Sequence, residues 1–525
     1  MNNSVDFNPY WHYLLRADLQ LDLEERSRLA ARLAQTNWDE PGSPLDWNNR
    51  AVVMLAEASL GEDMEQRFEA LRLASEWLNQ GGSHPLCVAH LALISCMTGQ
   101  AGNLSQYIFS RLIESFHAAD HTNPSPPPGL IYLPLRNHQG WEIDLLRQIL
   151  RAEDSCQQAI LLLNEVFCRS NLAFYNSGGM RSCSLAVQLS PNSAHAHLKL
   201  GIAHLLNDQL EGVFNLQQAR KLAPGDPAIL HSLYLTYRQR GQIEIAQFWL
   251  KVARDYARTD PTALPWDWTT LDPDSPWTYV PYDQGIRLAV EPGFASIVTG
   301  VLLAEGDWFE QEMEFWRCQI QPGMTVIDVG ANVGVYTFSA AQRVGSTGRV
   351  LAVEPFGGCV QCLTQTRQVN QMEWVTVCSG AASDRNGSLK LSLSGSSELN
   401  RIVQAEAEPS QLGIWEEVPC FRLDSLVEQE KLERVDFLKI DAEGHELQVL
   451  TGSEQLLETF APIILYENML DQETVNLPVA DFLQARGYQL FRYHPFIQQI
   501  SPILSREEIQ GNLNIIAIHP TRQQG

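Results

Sequence analysis

Two stretches of this 525-residue chain hold residue types at spacings that chemistry can use. The first is Thr325-Val-Ile-Asp-Val-Gly-Ala-Asn-Val-Gly-Val-Tyr-Thr337. It reads as a buried strand ending in Asp328, then a tight turn through Gly330, Ala331, Asn332 and Gly334 into a helix. Glycines there let the backbone approach a ligand closely, and the amides at the helix start favour anionic groups. The following strand, Val350-Leu-Ala-Val-Glu-Pro355, ends in Glu354, where an acid is placed to bind ribose hydroxyls. Asn332 stands where a dinucleotide fingerprint needs its second glycine, so the run departs from that motif.

The second stretch is Val435-Asp-Phe-Leu-Lys-Ile-Asp-Ala-Glu-Gly-His-Glu-Leu-Gln-Val-Leu-Thr-Gly452. A strand would end at Asp441, with Glu443 and His445 just beyond it. Glu467 would end the next strand over. In an open sheet these tips face the crevice where the strand order reverses. There a carboxylate or imidazole can take a proton from a hydroxyl. The same groups could hold a divalent cation, but the spacing demands none and no metal is assigned. Glu443 also suits the first turn of a helix, whose dipole favours a carboxylate. Lys439 lies two residues before Asp441 on the same strand face and is its expected ion-pair partner.

The elements that must position these groups follow from hydrophobic patterning. Short β-rich runs at 325–329, 349–353, 374–378, 435–440 and 463–466 alternate with helical stretches, which argues for a parallel sheet covered by helices on both faces. Runs at 489–493 and 513–518 would close the far edge. The segment 387–402, rich in Ser and Gly, reads as an inserted hairpin or flexible loop. Upstream the chain is helical, with apolar positions at helical spacing over 66–78, 85–97 and 104–116, broken by a Pro-rich loop at 123–129. Ala186-Val-Gln-Leu-Ser-Pro191 recurs as Ala219-Arg-Lys-Leu-Ala-Pro224 and more loosely as Ala253-Arg-Asp-Tyr256. That spacing is near the roughly 34-residue tetratricopeptide period, and residues 191–257 resemble such repeats. Prolines interleaved with Trp266, Trp268 and Trp277 then mark a linker, its tryptophans packed against a domain. The expected organisation is a helical region over 1–153, tetratricopeptide-like repeats over 154–258, a Pro/Trp-rich linker over 259–284 and a catalytic domain over 285–525.

The turn Gly330-Ala-Asn-Val-Gly334 after Asp328 looks like the first motif of class I methyltransferases. Together with the second stretch, the approach Gly306-Asp-Trp-Phe-Glu310 and the ending Gly511-Asn-Leu-Asn-Ile-Ile-Ala-Ile518, it resembles the FkbM family over roughly residues 290–520. The resemblance implies an α/β Rossmann-like class I methyltransferase domain behind the all-α tetratricopeptide-like region. It implies S-adenosyl-L-methionine as cofactor, held by Glu310, Asp328, Gly330, Ala331, Asn332, Gly334, Glu354, Ala382, Ser383 and Asp441. Asp441, Glu443, His445 and Glu467 would surround the transferred methyl group, with His445 or Asp441 as the base. The acceptor would be a hydroxyl, often of a sugar in a glycan or glycosylated metabolite. A non-sugar natural product is an alternative acceptor, and a repeat scaffold with a vestigial methyltransferase fold is an alternative of another class.

Composition narrows the partners. Lys plus Arg number 37 against 62 Asp plus Glu, a net charge of −25. Such a surface repels phosphate backbones, which argues against nucleic acid. A glycan or small-molecule acceptor remains compatible, as does a protein partner on the helical repeats. No apolar run approaches the roughly 18–20 residues needed to span a bilayer, and the first residues lack the basic and apolar regions of a secretory signal. The ten cysteines are scattered, as buried reduced thiols are in the cytoplasm. Cys359-Val-Gln-Cys362 has metal-ligand spacing but no second pair to complete a site.

Overall fold

The computed structural model describes residues 8–61, 63–98, 126–134, 140–169, 177–403, 414–468, 475–495 and 497–522. The helix expected over 104–116 lies outside them. The chain packs as two compact units, residues 1–196 with 494–499, and residues 197–493 with 500–525.

The first unit is helical. Asp22 and Ser43 each close a reciprocal capping box at the start of helices Leu23–Gln35 and Pro44–Leu60. Around its core of leucines and alanines runs the extended segment 129–134, in which Leu130, Ile131, Tyr132 and Leu133 are buried. An extended chain buried among helices has no ladder to satisfy its backbone, so side chains must do so. Tyr10 Oη donates to the Ile131 carbonyl at 2.7 Å, and Tyr13 Oη donates to that of Leu133 at 2.8 Å. Asn49 accepts the Leu130 N–H at 2.8 Å, and His90 accepts that of Tyr132 at 3.1 Å. Burial pushes the His90 imidazole down to about 4, which keeps it neutral and able to accept.

The second unit begins inside helix Ala194–Leu206 and continues with Glu211–Leu222, Pro227–Gln239 and Ile243–Ala257. Gly201 and Gly212 let the first two pack at backbone contact, since a Cβ on Gly212 would sit 2.4 Å from the Gly201 carbonyl. The segment expected as a linker is ordered and built in. It forms a short 3₁₀ helix, Leu264–Thr270, and then the hairpin of β1 (Thr278–Tyr282) and β2 (Ile286–Val290). Trp268 packs on helix Pro227–Gln239. The Trp268 ring stacks on His231 at 4.2 Å, and His231 Nε2 lies 2.8 Å from Thr278 Oγ1.

The remaining strands are β3 (Thr325–Val329), β4 (Arg349–Glu354), β5 (Val375–Ser379), β6 (Ala381–Ala382), β7 (Gly387–Leu393), β8 (Arg401–Ile402), β9 (Ile414–Phe421), β10 (Phe437–Ile440), β11 (Ile463–Glu467), β12 (Gln489–His494), β13 (Gln499–Pro502) and β14 (Asn514–Ile518). Eight of them form one sheet in the order β13-β12-β14-β11-β10-β3-β4-β5. From β11 to β5 it is parallel, and β14 runs antiparallel to β11 and β12. The chain winds outward from β3 through β4 to β5, then returns to place β10 on the other side of β3. The order therefore reverses between β3 and β10, the point beyond whose carboxyl ends open α/β sheets place their ligand crevice. The inserted segment is a second sheet, β6-β9-β7-β8, in which β7 pairs mainly with β9 and only briefly with β8. Its partner strand at 414–421 lay beyond the hairpin expected at 387–402. No helix among the described residues is long and apolar enough to cross a membrane.

Candidate functional site

At the reversal point, β3 is buried along its whole length and delivers Asp328 fully buried. Thr337 Oγ1 donates to Asp328 Oδ2 at 2.6 Å, while Oδ1 has no hydrogen-bond partner among the described residues. Burial raises the Asp328 carboxyl, an effect that the nearby Lys439 ammonium opposes. The turn that follows requires its glycines. Gly330 has φ +72°, and a Cβ there would lie 1.7 Å from the Asp441 carbonyl. The Gly330 and Ala331 amides donate to the Val353 carbonyl at 3.0 and 3.1 Å, drawing the turn onto the end of β4. Gly334, at φ +102°, then starts helix Val335–Val344.

Glu354 closes the other side of the turn. It accepts the amides of Asn332 and Phe356, each at 2.8 Å. Burial pushes its carboxyl up to about 7. Asn332 (φ +50°) also reaches Ser397 Oγ at 3.4 Å, and Ser397 donates to Glu291 at 2.5 Å. Ser397 comes from the inserted segment, and nothing in its sequence marked it. Ala382 is buried in β6, and Ser383 follows it fully buried.

Across the crevice, Lys439 Nζ donates to Asp441 Oδ2 at 2.9 Å, the expected pair, and lies 4.6 Å over the Tyr336 ring. Burial alone lowers the Lys439 ammonium, but Asp441, Asp328 and Glu310 together hold it above its ordinary value. Glu310 accepts from Tyr336 Oη at 2.6 Å and Asn514 Nδ2 at 3.0 Å. Burial raises its carboxyl.

Beyond β10 and β11, carboxylate oxygens of Asp441, Glu443 and Glu467 all lie within 4.8 Å of one another. Burial raises Glu467 strongly, and the charges of Asp441 and Glu443 raise it further, because like charges this close cannot all ionise. Glu443 goes up to about 7, chiefly through burial and the Asp441 charge, against the pull of Arg401 at 3.5 Å. Its backbone sits at φ +51°, a conformation costly to a residue with a Cβ. Glu446 holds it there. One Glu446 oxygen accepts the amides of Ala442 (2.9 Å) and Gly444 (3.0 Å), and the other accepts Asn476 Nδ2 at 2.9 Å. The sequence reading gave Glu446 no role, although an acid in the first turn after a glycine signals such a cap.

His445 does not join this cluster. Its Nε2 lies 3.0 Å from Ser383 Oγ, and its nearest charges are Asp384 and Arg385. Burial lowers the imidazole. The backbone reverses at Gly444 (φ +92°), which turns the histidine toward the end of β6 while Glu443 faces the carboxylate cluster. Three of the four groups expected around the reacting centre therefore meet, and the fourth faces Ser383.

This strand order, with its antiparallel β14 and a glycine turn at the reversal point, is that of an open Rossmann-like α/β sheet. Residues 328–490 match the family model described as the Methyltransferase FkbM domain. Solved structures similar to the chain include the methyltransferase FkbM from Methylobacillus flagellatus KT, at 16% identity over 43% of this chain and 53% of that one, with TM-score 0.26. The match thus spans about half of that protein. The O-methyltransferase from Bacillus cereus in complex with SAH is similar at 18% identity over 40% of this chain and 80% of that one, TM-score 0.25. A SAM-dependent methyltransferase from Aquifex aeolicus is 14% identical over 40% and 87%, TM-score 0.23. No curated protein matches the chain.

Proposed function

We propose that this protein is an S-adenosyl-L-methionine-dependent O-methyltransferase acting on a sugar hydroxyl of a glycan or glycosylated metabolite. The observation that carries the reading is the meeting of Asp441, Glu443 and Glu467 at the crevice, one strand from the glycine turn. The residues present fit the cofactor. Gly330 and Gly334, both at positive φ, make the tight turn at the strand tip, and the buried Asp328 Oδ1 is an acceptor still in need of a donor. Asp328 and Glu310 would hold the amino-acid end, Glu354 the ribose, and Ala382 with Ser383 the base. When bound, the cofactor supplies a methyl carbon on a sulfonium, open to displacement by an oxygen in line with it.

The chain's own work is to align that oxygen and take its proton. Alignment removes much of the entropic barrier, and a positioned base adds a further ~10²–10⁴-fold. Glu443 is the base. Its carboxyl at about 7 is matched to neutral pH, and its strained backbone aims it at the crevice. Lys439 anchors Asp441 through their ion pair, and Glu467, held protonated, donates to the acceptor or to a neighbouring carboxylate. The sugar as acceptor follows from the family resemblance. The helical repeats would dock the acceptor chain or a protein partner. The scattered cysteines suit the reducing cytoplasm.

Calorimetric titration of S-adenosyl-L-methionine into the full-length protein tests the cofactor site. Micromolar binding, weakened at least about tenfold (~1.4 kcal/mol) in Asp328→Ala and Glu354→Ala, is expected. A folded wild type that binds none refutes the proposal.

A further inference from the structure

The inserted sheet β6-β9-β7-β8 has two unlike faces. One holds Leu389, Leu391, Val418 and Cys420, buried together against Ala381. Alternation along the strands sends the intervening residues to the other face. There the register sets Trp415 of β9 opposite Ser392 of β7, and Ser392 opposite Arg401 of β8. Lys390 lies on the same face, with its ammonium 4.3 Å over the Trp415 ring. Trp415 is 42% exposed, although an indole is among the costliest side chains to leave in water.

This row runs into the reaction centre. Arg401 at its end is the cation that reaches Glu443 at 3.5 Å. Two strand spacings separate Arg401 from Trp415, roughly 10 Å.

We infer that the outer face of the inserted sheet is an acceptor subsite that binds a neutral oligosaccharide, with Trp415 stacking on a sugar ring one or two units from the hydroxyl methylated beside Glu443. The inference rests on the sugar-methylation reading above, and it names where the acceptor lies. A sugar ring presents an apolar C–H face and a rim of hydroxyls. An exposed indole suits the first, while a serine hydroxyl and a guanidinium suit the second. Local charge favours a neutral chain. Arg401 and Lys390 stand beside Glu443 and Glu417, so the row has no net charge to offer an anionic one. Continuity with the carboxylates fixes the occupant as the acceptor.

The test uses the full-length protein and a ladder of neutral mono-, di- and trisaccharide glycosides, with methyl transfer followed from radiolabelled S-adenosyl-L-methionine. For wild type, KM is expected to fall by about tenfold (~1.4 kcal/mol) between the mono- and the trisaccharide. Trp415→Ala should abolish that gain without changing cofactor affinity, and Trp415→Phe should restore most of it. Methylation with a KM independent of chain length, or unchanged by Trp415→Ala, overturns the subsite and leaves the proposed function standing. Cofactor binding without methylation of any member of the ladder overturns the sugar reading and the subsite with it. The length dependence in wild type stands even if a variant fails to fold.

Discussion

Glu443 and His445 are two residues apart and face different neighbours, which separates their roles experimentally. A base must reach the hydroxyl proton, and the three carboxylates share the crevice while His445 faces Ser383. Glu443→Gln is expected to lower kcat by roughly 10²–10⁴, the span that a general base supplies. His445→Ala should lose less than about tenfold, the effect of a packing group and not of a base. The pH profile supplies the sign. A carboxyl raised to about 7 holds its proton below that pH and is a base above it. The kcat/KM of wild type should therefore rise with pH through a midpoint near 7 and flatten beyond it. Glu443→Gln should erase that rising limb. A limb that persists in Glu443→Gln and vanishes in His445→Ala would move the base to the histidine.

The glycine turn between β3 and its helix is fixed by sterics. A Cβ on Gly330 meets a carbonyl oxygen of the neighbouring strand tip, not a flexible side chain, so relief would need β3 and β10 to part. Gly330→Ala should cost about 2–4 kcal/mol in urea unfolding and weaken cofactor binding together with stability. An unchanged midpoint would show that the strand tips are free to separate. This turn was legible in the sequence because local rules write it: a buried β-branched run, an acid, then glycines at fixed offsets. The strands expected at 325–329, 349–353 and 463–466, each found within one residue of those bounds, were legible from their β-branched runs. What escaped was set by partners distant in sequence. The mate of β7 lies at 414–421, beyond the reach of a hairpin rule. Ser397 and Arg401 come to the site on a loop of ordinary composition. His445 carried the right chemistry in the right motif, but the left-handed residues Glu443 and Gly444 turn it away. Periodicity does not report a single backbone reversal.

At the scale of the molecule, the sequence suggested helices joined to a catalytic domain by a linker, which would allow the two to be cut apart. The packing of the second unit argues otherwise. Leu206 fills the space beside Gly300 on helix Ile297–Glu305, where a Cβ would come within 2.8 Å. Gln239 Oε1 accepts the Phe294 amide at 2.9 Å. Lys199, fully buried, ion-pairs with Glu305, and removing one partner of a buried pair costs several kcal/mol. Glu305 in turn ends the helix from which residues 306–310 carry Glu310 to the site. A fragment starting at residue 285 loses these helices. It also loses β1, the partner of β2, leaving an unpaired strand and an apolar face in water. That fragment is expected to aggregate or to melt without cooperativity, whereas one starting at residue 190 should melt cooperatively and bind S-adenosyl-L-methionine within about threefold (~0.7 kcal/mol) of the full chain. Circular dichroism melts and calorimetry on the two fragments decide it. A stable, cofactor-binding fragment from 285 would show that the helices are an appendage. Failure of that fragment alone would make residues 197–258 part of the fold of the second unit, and deleting them would no longer serve as a test of what those helices bind.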